Sequence, residues 1–550
     1  MPSTPTTKSQ VQAYQFVLRR MQSALVRRDA VMLHDPMRTH TRATIVGVVL
    51  GALGMIVFIV WGLLSPAPAV PEAGKIVIGQ QSGTVYVVMG NPKKLIPTFN
   101  LASARLLIIA QQQQQQKQSS GGQAAPASAG QPAAPGGAAP NVVDATVVSD
   151  EQLKDIPRGK LTGIPDGPQL IPSATQRISA NWAVCDEVKL NPQLPQPDSI
   201  NQTDTTVFAG VDRLGTELGV DQALLATADN GKSYLIYRVP SNPNRPNTNT
   251  VRAEVDLSPG TPVMAALHLP AKGRKVSQAL LNAIPEVSRL AAPAVAGKNG
   301  RAPADFDGLS VGDVFSTAPA GAPMEYWAIV QNGIQKVSPV VADIMRTANN
   351  GDSGRVMQLG LDKTRTVKQL QPGDQGYLAV DDFPSSVPTV LDATKNSPVA
   401  CLGWSLVGEG ANQDAHTSVF VGNQLPGPKN PNGTSTAIRM TTPGPNGLPI
   451  TGFYMQPGFA AVVQSATTKA TFGKGPIQLI SDRGIRYGVP DTKTADAIGL
   501  NNRLPAPESI IGLLPPGASL NTQNVLREFD TVPIDPNAGS YPSATPQPAG

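Results

Sequence analysis

The residues best suited to chemistry in this sequence are Gly231, Lys232 and Ser233, which end the segment ATADNGKS. That segment, Ala226 to Ser233, fits a relaxed phosphate-binding loop, in which backbone N–H groups, a lysine and the start of a helix hold phosphates. Two features favour a hairpin turn instead. Alanine replaces the first glycine of the loop, and a strand-like pattern, YLIYRV, follows where the helix should begin. We expect a structural turn here and keep nucleotide binding as the alternative.

Other patterns of catalytic or metal-binding residues are missing from the sequence. The histidines are too widely separated to predict a metal cluster. They are His34, His40, His268 and His416. No GxSxG nucleophile motif is present, and the carboxylate clusters Asp305/Asp307 and Asp381-Asp382 are typical of turns and helix caps. We therefore predict no catalytic site, no metal and no cofactor.

One apolar stretch divides the chain. Thr44 to Leu64 holds no charged residue, and its length matches the roughly 20 apolar residues that a helix needs to cross a bilayer. Seven basic and two acidic residues precede it, so this head carries the whole net charge of +5 and the remainder is neutral. Because basic flanks stay in the cytoplasm, we expect a single-pass protein with a cytoplasmic head and a remainder on the opposite side of the membrane. The neutral remainder predicts no nucleic-acid surface. A signal peptide cleaved near Ala67 is the less favoured alternative.

Residues 10–34 of the head are predicted to form one helix, which a capping box at Ser9 and Gln12 begins and Pro36 prevents from continuing. Its apolar residues recur at spacings of three and four, which places them on one face. This face, called the seam below, comprises Val11, Tyr14, Leu18, Met21 and Leu25. The regular spacing favours docking onto a cytoplasmic protein; lying on anionic inner-membrane lipid is the alternative.

Two cysteines, Cys185 and Cys401, lie beyond the span. Each has a tryptophan three residues away, in the segments NWAVCDE and PVACLGWS. In an oxidising compartment we expect them to form one disulfide that holds a central core together. Two buried free thiols are the alternative.

Internal similarity organises the remaining sequence. Segments 85–107, 326–345 and 477–500 each read as a strand, a turn with glycine, a second strand, a proline and a helix, and 224–285 is a weaker copy. Units of this size need neighbours to cover their apolar faces. Repeats of this kind also leave peptidoglycan binding open as a function.

The head sequence TKSQVQAYQFVLRRMQSALVRRDAVMLHDP, followed by basic residues and one span, resembles the EccB family of actinobacterial type VII (ESX) secretion systems, and the Cys–Trp pairs and Gly/Pro-rich repeats are also similar to that family. The resemblance implies a structural subunit of a hexameric inner-membrane complex, with EccC, EccD, EccE and the protease MycP as partners and with self-association of the exported domains. It also implies that the exported part is a periplasmic domain, with four related repeats around a central core in an elongated arrangement of quasi-two-fold symmetry. Some family members carry an ATPase label, so ATP hydrolysis is an alternative function.

These observations predict an α+β fold: a single-span membrane protein with an elongated exported domain of about four small strand–helix repeats around a disulfide-linked core. The predicted boundaries are a cytoplasmic helix at 1–43, a span at 44–64, a linker and first repeat at 65–173 with a disordered insertion at 111–140, core segments at 174–215 and 395–445, further repeats at 216–300, 301–394 and 446–528, and a disordered tail at 529–550.

Overall fold

The chain forms two compact units, Met1–Val70 and Pro71–Gly550. The computed structural model describes residues 7–27, 36–64, 71–119, 142–191, 193–196, 202–239, 250–350, 354–395 and 397–532.

The first helix of the first unit, α1, spans Lys8–Arg27. Its first turn is closed by Thr7, whose backbone N–H donates to the Gln10 side chain over 3.0 Å. The capping box predicted at Ser9 and Gln12 is therefore wrong by two residues, as is the predicted start of the helix. Its predicted end at residue 34 lies outside the described residues.

The second helix, α2, spans Pro36–Leu64 and so begins before the predicted span at Thr44. Proline fits the first position of a helix because its missing N–H would have no partner there. Within α2, Arg42–Trp61 is long and apolar enough to cross a membrane, and none of this stretch is buried.

The second unit contains four small sheets and one larger sheet. The first sheet holds β1 (Ile76–Gly79), β2 (Val85–Met89), β3 (Lys94–Thr98), β4 (Ala145–Val148), β5 (Leu161–Thr162) and β27 (Glu528–Phe529). The second holds β9 (Gln222–Thr227), β10 (Ser233–Arg238), β11 (Thr250–Val255), β12 (Arg274–Lys275), β13 (Glu286–Val287) and β18 (Thr389–Val390). The third holds β14 (Val314–Thr317), β15 (Glu325–Val330), β16 (Gly333–Val337) and β17 (Met357–Gln358). The fourth holds β23 (Ala460–Ala466), β24 (Ile477–Ser481), β25 (Arg486–Val489) and β26 (Leu504–Pro507).

The four small sheets share one chain path. Three consecutive strands form an antiparallel meander, a helix follows, and a fourth strand returns parallel to the first. A second helix then leads to a segment parallel to the third strand. The first helices are α3 (Leu101–Ser119), α5 (Pro262–Ala266), α7 (Pro339–Asn350) and α9 (Thr492–Ala497), and the second are α4 (Asp150–Leu153), α6 (Gln278–Ala283), α8 (Asp362–Arg365) and α10 (Glu508–Ile511).

The larger sheet is called the central sheet. It holds β6 (Trp182–Val188), β7 (Thr203–Ala209), β8 (Thr216–Glu217), β19 (Val399–Val407), β20 (Asp414–Gly422), β21 (Ile438–Arg439) and β22 (Gly452–Tyr454). Their order is β21-β22-β7-β6-β19-β20-β8, so β6 and β19 lie side by side in its middle. Short 3₁₀ turns occupy Ala174–Gln176, Gly410–Asn412, Lys469–Thr471 and Asn524–Leu526.

Helices join the sheets of the second unit. α3 packs against α9 and joins the first sheet to the fourth, whereas α5 packs against α7 and joins the second to the third. α6 and α10 contact each other and β6 of the central sheet. They bury Leu280, Leu281, Ile510 and Ile511 there, and each such side chain contributes about 1.5–3 kcal/mol through removal from water.

Two regions predicted to be disordered are partly regular. α3 continues through the glutamine run to Ser119, because glutamine is a good helix former and the preceding apolar turns have already nucleated the helix. The predicted insertion is therefore wrong for residues 111–119, and its remainder lies largely outside the described residues. Phe529 lies in β27 beside β5, so the tail predicted from residue 529 starts too early.

Candidate functional site

The phosphate-loop-like segment is a turn between two strands. β9 ends at Thr227, β10 begins at Ser233, and the two strands pair antiparallel. The Ala228 N–H donates to the Lys232 carbonyl over 2.9 Å, and Gly231 adopts φ +80°, which favours glycine. A strand rather than a helix follows, so no helix N-terminus is available to a phosphate.

The ammonium of Lys232 has a partner within the fold. Its Nζ donates to Glu254 Oε2 over 2.7 Å, and this hydrogen bond raises the pKa of Lys232. The hairpin therefore contains Gly231, Lys232 and Ser233. The ion pair links Lys232 to Glu254 on the neighbouring strand β11.

The remaining polar candidates occupy separate places. Within the described ranges, no group of three or more His, Cys, Asp or Glu side chains is arranged to hold a metal ion. Asp305 accepts from the Asp307 N–H over 3.1 Å, which is a turn contact. Asp381 accepts from the Tyr377 hydroxyl over 2.7 Å, and burial of Tyr377, together with this bond, raises its pKa to about 12.

The predicted disulfide between Cys185 and Cys401 is confirmed. Their Cα atoms are 3.9 Å apart, 216 residues separate them in sequence, and both are fully buried. They face each other across β6 and β19, and Trp182 faces Trp404 in the same register. The two motifs, WAVC and CLGW, run in opposite directions, so antiparallel pairing aligns both the cysteines and the tryptophans.

A buried carboxylate beside the disulfide was missed from the sequence. Asp186 on β6 is fully buried. It accepts hydrogen bonds from the Ser277 N–H over 2.6 Å, the Ser277 hydroxyl over 2.8 Å and the Thr205 hydroxyl over 2.8 Å. Ser277 is the N-cap of α6 and also accepts from the Leu280 N–H. Asp186 therefore fixes the second sheet's helix to the central sheet.

The electrostatics of this junction follow from burial. Removal from water raises the pKa of Asp186, and the three donors together with the Arg274 charge oppose that effect. Arg274 is also buried, which lowers its pKa to about 10. Its guanidinium donates to the carbonyls of Ser397 and Pro398 over 2.6 Å each. The one signal in the sequence was the acidic pair Asp186-Glu187 directly after the apolar residues of this strand.

Two arginines bind the end of α9, which follows the fourth sheet's meander. Arg105 of α3 donates to the Ile498 carbonyl, and Arg177 donates to the Gly499 carbonyl, each over 2.8 Å. Burial lowers the pKa of both arginines. These bonds satisfy carbonyls at the end of α9.

The seam of α1 is exposed along its whole length. The exposed fractions are 43% for Val11, 67% for Tyr14, 37% for Leu18, 54% for Met21 and 82% for Leu25. α1 contains four basic residues and no acidic residue. The described part of the chain therefore leaves this apolar face available to another molecule.

A cleft of about 540 Å³ lies between the second sheet, the central sheet and the fourth sheet. Trp404, Ile284 and Ile510 form apolar walls. Arg252 at its rim donates to Glu286 over 2.9 Å. None of the residues that line the cleft is a histidine or a cysteine, and its carboxylates are not part of a metal-binding group within the described residues.

Comparison with known proteins identifies relatives along nearly the full chain. Residues 3–534 match the family model described as "Type VII secretion system ESX-1, transport TM domain B". The ESX-1 secretion system ATPase EccB1 of Mycolicibacterium smegmatis (strain MKD8) is 27% identical over 97% of each chain.

Two solved structures share the fold. One chain of an intact ESX-5 inner membrane complex has a TM-score of 0.65 and 24% identity, over 98% of this chain and 99% of that one. The EccB3 dimer from the ESX-3 core complex has a TM-score of 0.60 and 23% identity, over 82% of this chain and 100% of that one.

Proposed function

This chain belongs to the EccB family of type VII secretion components, and we propose that it is a structural subunit of an inner-membrane secretion complex. One observation carries this proposal: a single chain joins an exposed apolar docking face, an exposed membrane-length helix and a large folded unit held together by buried structural contacts. A subunit of this kind ties components on the two sides of a membrane to each other.

The proposed topology places α1 in the cytoplasm, one span within α2 and the second unit in the periplasm. The basic residues of α1 and the start of α2 support this orientation. The disulfide supports it independently, since structural disulfides persist in oxidising compartments.

The four small sheets are proposed to be repeats of one unit, with two inner and two outer copies. Their common chain path supports this. The inner copies, the second and fourth sheets, have apolar second helices, QALLNA and ESII, which dock on the central sheet. The outer copies have polar ones, DEQL and DKTR. Each inner copy binds one outer copy through its first helix, which is consistent with a quasi-two-fold arrangement.

The proposed partners are those of the family: EccC, EccD and EccE in the membrane complex, MycP at the periplasmic side, and a second copy of the chain. The similar structures come from an inner membrane complex and from a dimer, which supports both kinds of assembly. The seam is proposed to dock onto a cytoplasmic or membrane partner, because a regular a/d face buries well against another protein.

Docking through the seam can be tested with two single substitutions, each of which adds one carboxylate to a different face of α1. Leu18→Glu places a carboxylate in the seam, where docking would bury it unpaired, so we expect the other complex components to be lost from an affinity purification of the tagged chain. Gln12→Glu places the same charge away from the seam and should leave their recovery unchanged. Equal recovery with both variants would contradict docking through the seam.

A further inference from the structure

The four small sheets differ at one equivalent edge. In each of them the fourth strand, β4, β12, β17 or β26, lies at the outside of the sheet beside the first strand of the meander. Edge strands present unpaired N–H and C=O groups that pair readily with another chain, and natural proteins blunt them by shortness, proline or cover.

Three of these four edges are blunted. β26 contains Pro505 and Pro507, which have no N–H to donate. β12 is covered, because its Arg274 donates to the carbonyls of Ser397 and Pro398. β17 is only two residues long.

Arg105 donates to the Val143 carbonyl just before β4 over 3.4 Å, but none of these devices lies within the four residues of β4 itself. Its four residues include three β-branched side chains and neither proline nor a charge. The Val148 carbonyl accepts from the Gln80 N–H on the β1 side. Because backbone groups alternate sides along a strand, those of Ala145 and Val147 point away from the sheet. β1 is the one strand that pairs with β4 among the described residues, and the Val147 side chain is 62% exposed.

We propose that β4 pairs antiparallel with β4 of a second copy of this chain. A two-fold axis at Thr146 sets Ala145 opposite Val147, and the outward backbone groups of these residues then form about four hydrogen bonds between the copies. The first sheets of both copies become one continuous sheet through an isologous contact.

The charges around β4 are compatible with self-pairing. In this register Asp144 lies opposite Val148, and Asp150 lies opposite Val142, so no two carboxylates face each other. The Asp150 carboxylate already accepts from the Ser82 hydroxyl over 2.7 Å. The EccB3 dimer among the similar structures supports a second copy as the occupant. This inference rests on the self-association in the proposed function and names its surface.

A single cysteine tests the pairing directly. Thr146→Cys places a thiol on the axis, where paired Cα atoms lie about 4.5 Å apart, within the range of a disulfide. The native cysteines are already bonded to each other, so this thiol is unambiguous. Oxidation of the full-length chain in its membrane should give a covalent dimer. Met357→Cys on β17, whose side chain is 42% exposed, is the matched control and should remain uncrosslinked.

A second substitution separates pairing from chance contact. Val147→Pro removes an outward N–H without touching the β1 side, and added to Thr146→Cys it should abolish the crosslink while the thermal midpoint stays near that of wild type. Three results would overturn the proposal: no more crosslinking than with Met357→Cys, crosslinking that survives Val147→Pro, or a crosslink to a different protein.

Recovery of the other complex components, measured in the same preparations, depends on the seam. Their loss beside an intact crosslink would count against the proposed complex and not against this pairing.

Discussion

At the residue scale, two charged side chains that could be taken for catalytic groups are engaged within the fold. Lys232 holds Glu254 across a hairpin of the second sheet. Asp186 holds the N-terminus of α6 against the central sheet. Both contacts connect neighbouring secondary-structure elements, so neither side chain is by itself evidence of a catalytic site.

Removal of the Lys232 ammonium tests the ATPase label carried by relatives. Lys232→Ala is expected to leave any ATP hydrolysis by the purified chain unchanged, because this lysine lies in a strand–turn–strand and not before a helix N-terminus. Steady-state phosphate release from wild type and variant provides the measurement, with matched thermal midpoints as the control. Selective loss of hydrolysis in a normally folded variant would establish a nucleotide site there.

Asp186 gives a prediction for stability. Asp186→Ala leaves the Ser277 and Thr205 donors without an acceptor, so we expect a loss of about 3 kcal/mol in the free energy of unfolding. Asp186→Asn keeps the shape and should cost less. Tryptophan fluorescence during denaturation measures the free energy of unfolding, because Trp182 and Trp404 lie in the same sheet as Asp186.

The difference in stability between wild type and Asp186→Asn should change with pH in a defined direction. Burial raises the pKa of Asp186 in the folded chain above its ordinary value of 3.8, so the folded chain binds this proton more tightly. The resulting stabilisation is present below about pH 3.8 and is lost as the pH rises through the raised pKa. Wild type should therefore gain stability relative to Asp186→Asn as the pH falls. A gap that is constant or moves the other way would show that the folded-state pKa is not raised.

At the element scale, the paired strands β6 and β19 organise the second unit. They come from distant parts of the chain, and the helices α6 and α10, which follow strands of the second and fourth sheets, dock on the sheet that they centre. The disulfide crosslinks them at a position where their residues already face each other. The bond therefore restricts the unfolded chain more than it shapes the folded one.

Loss of the disulfide should lower stability markedly. Closing a loop of 216 residues contributes up to about 5 kcal/mol in the chain-entropy model. Cys401→Ser should therefore lower the thermal midpoint of the oxidised chain by several degrees, and Cys185→Ser should match it. Reductant should lower the wild-type midpoint to the same value. An unchanged wild-type midpoint under reductant would contradict this account of the bond.

Much of this element structure is predictable from local sequence. The two Trp–Cys motifs and the turn at Gly231 carry strong signals, and the apolar run of α2 has the length that a membrane-crossing helix needs. The return strands are not predictable, because β12 and β17 have two residues each and no alternation can show in them. Asp186 was missed for a related reason: its partners, Thr205 and Ser277, are brought together by tertiary packing alone.

At the scale of the whole molecule, each part of the chain has a different type of surface. α1 presents apolar side chains beside basic ones, the part of α2 from Ile45 to Trp61 exposes its apolar side chains, and the second unit buries apolar residues between sheets. The chain therefore combines three types of surface in one polypeptide. That combination, more than any single residue, supports a function in joining components across a membrane.

Assembly of the secretion complex tests this central claim most directly. The complex would be purified through a tag on another component, from cells that make wild type, a chain without residues 7–27 or a chain without residues 71–532, and its size measured on native gels. We predict full-size complex with wild type and with Lys232→Ala, and failure of assembly with either deletion. Full-size complex with each of the two deleted chains would contradict a structural function for this chain.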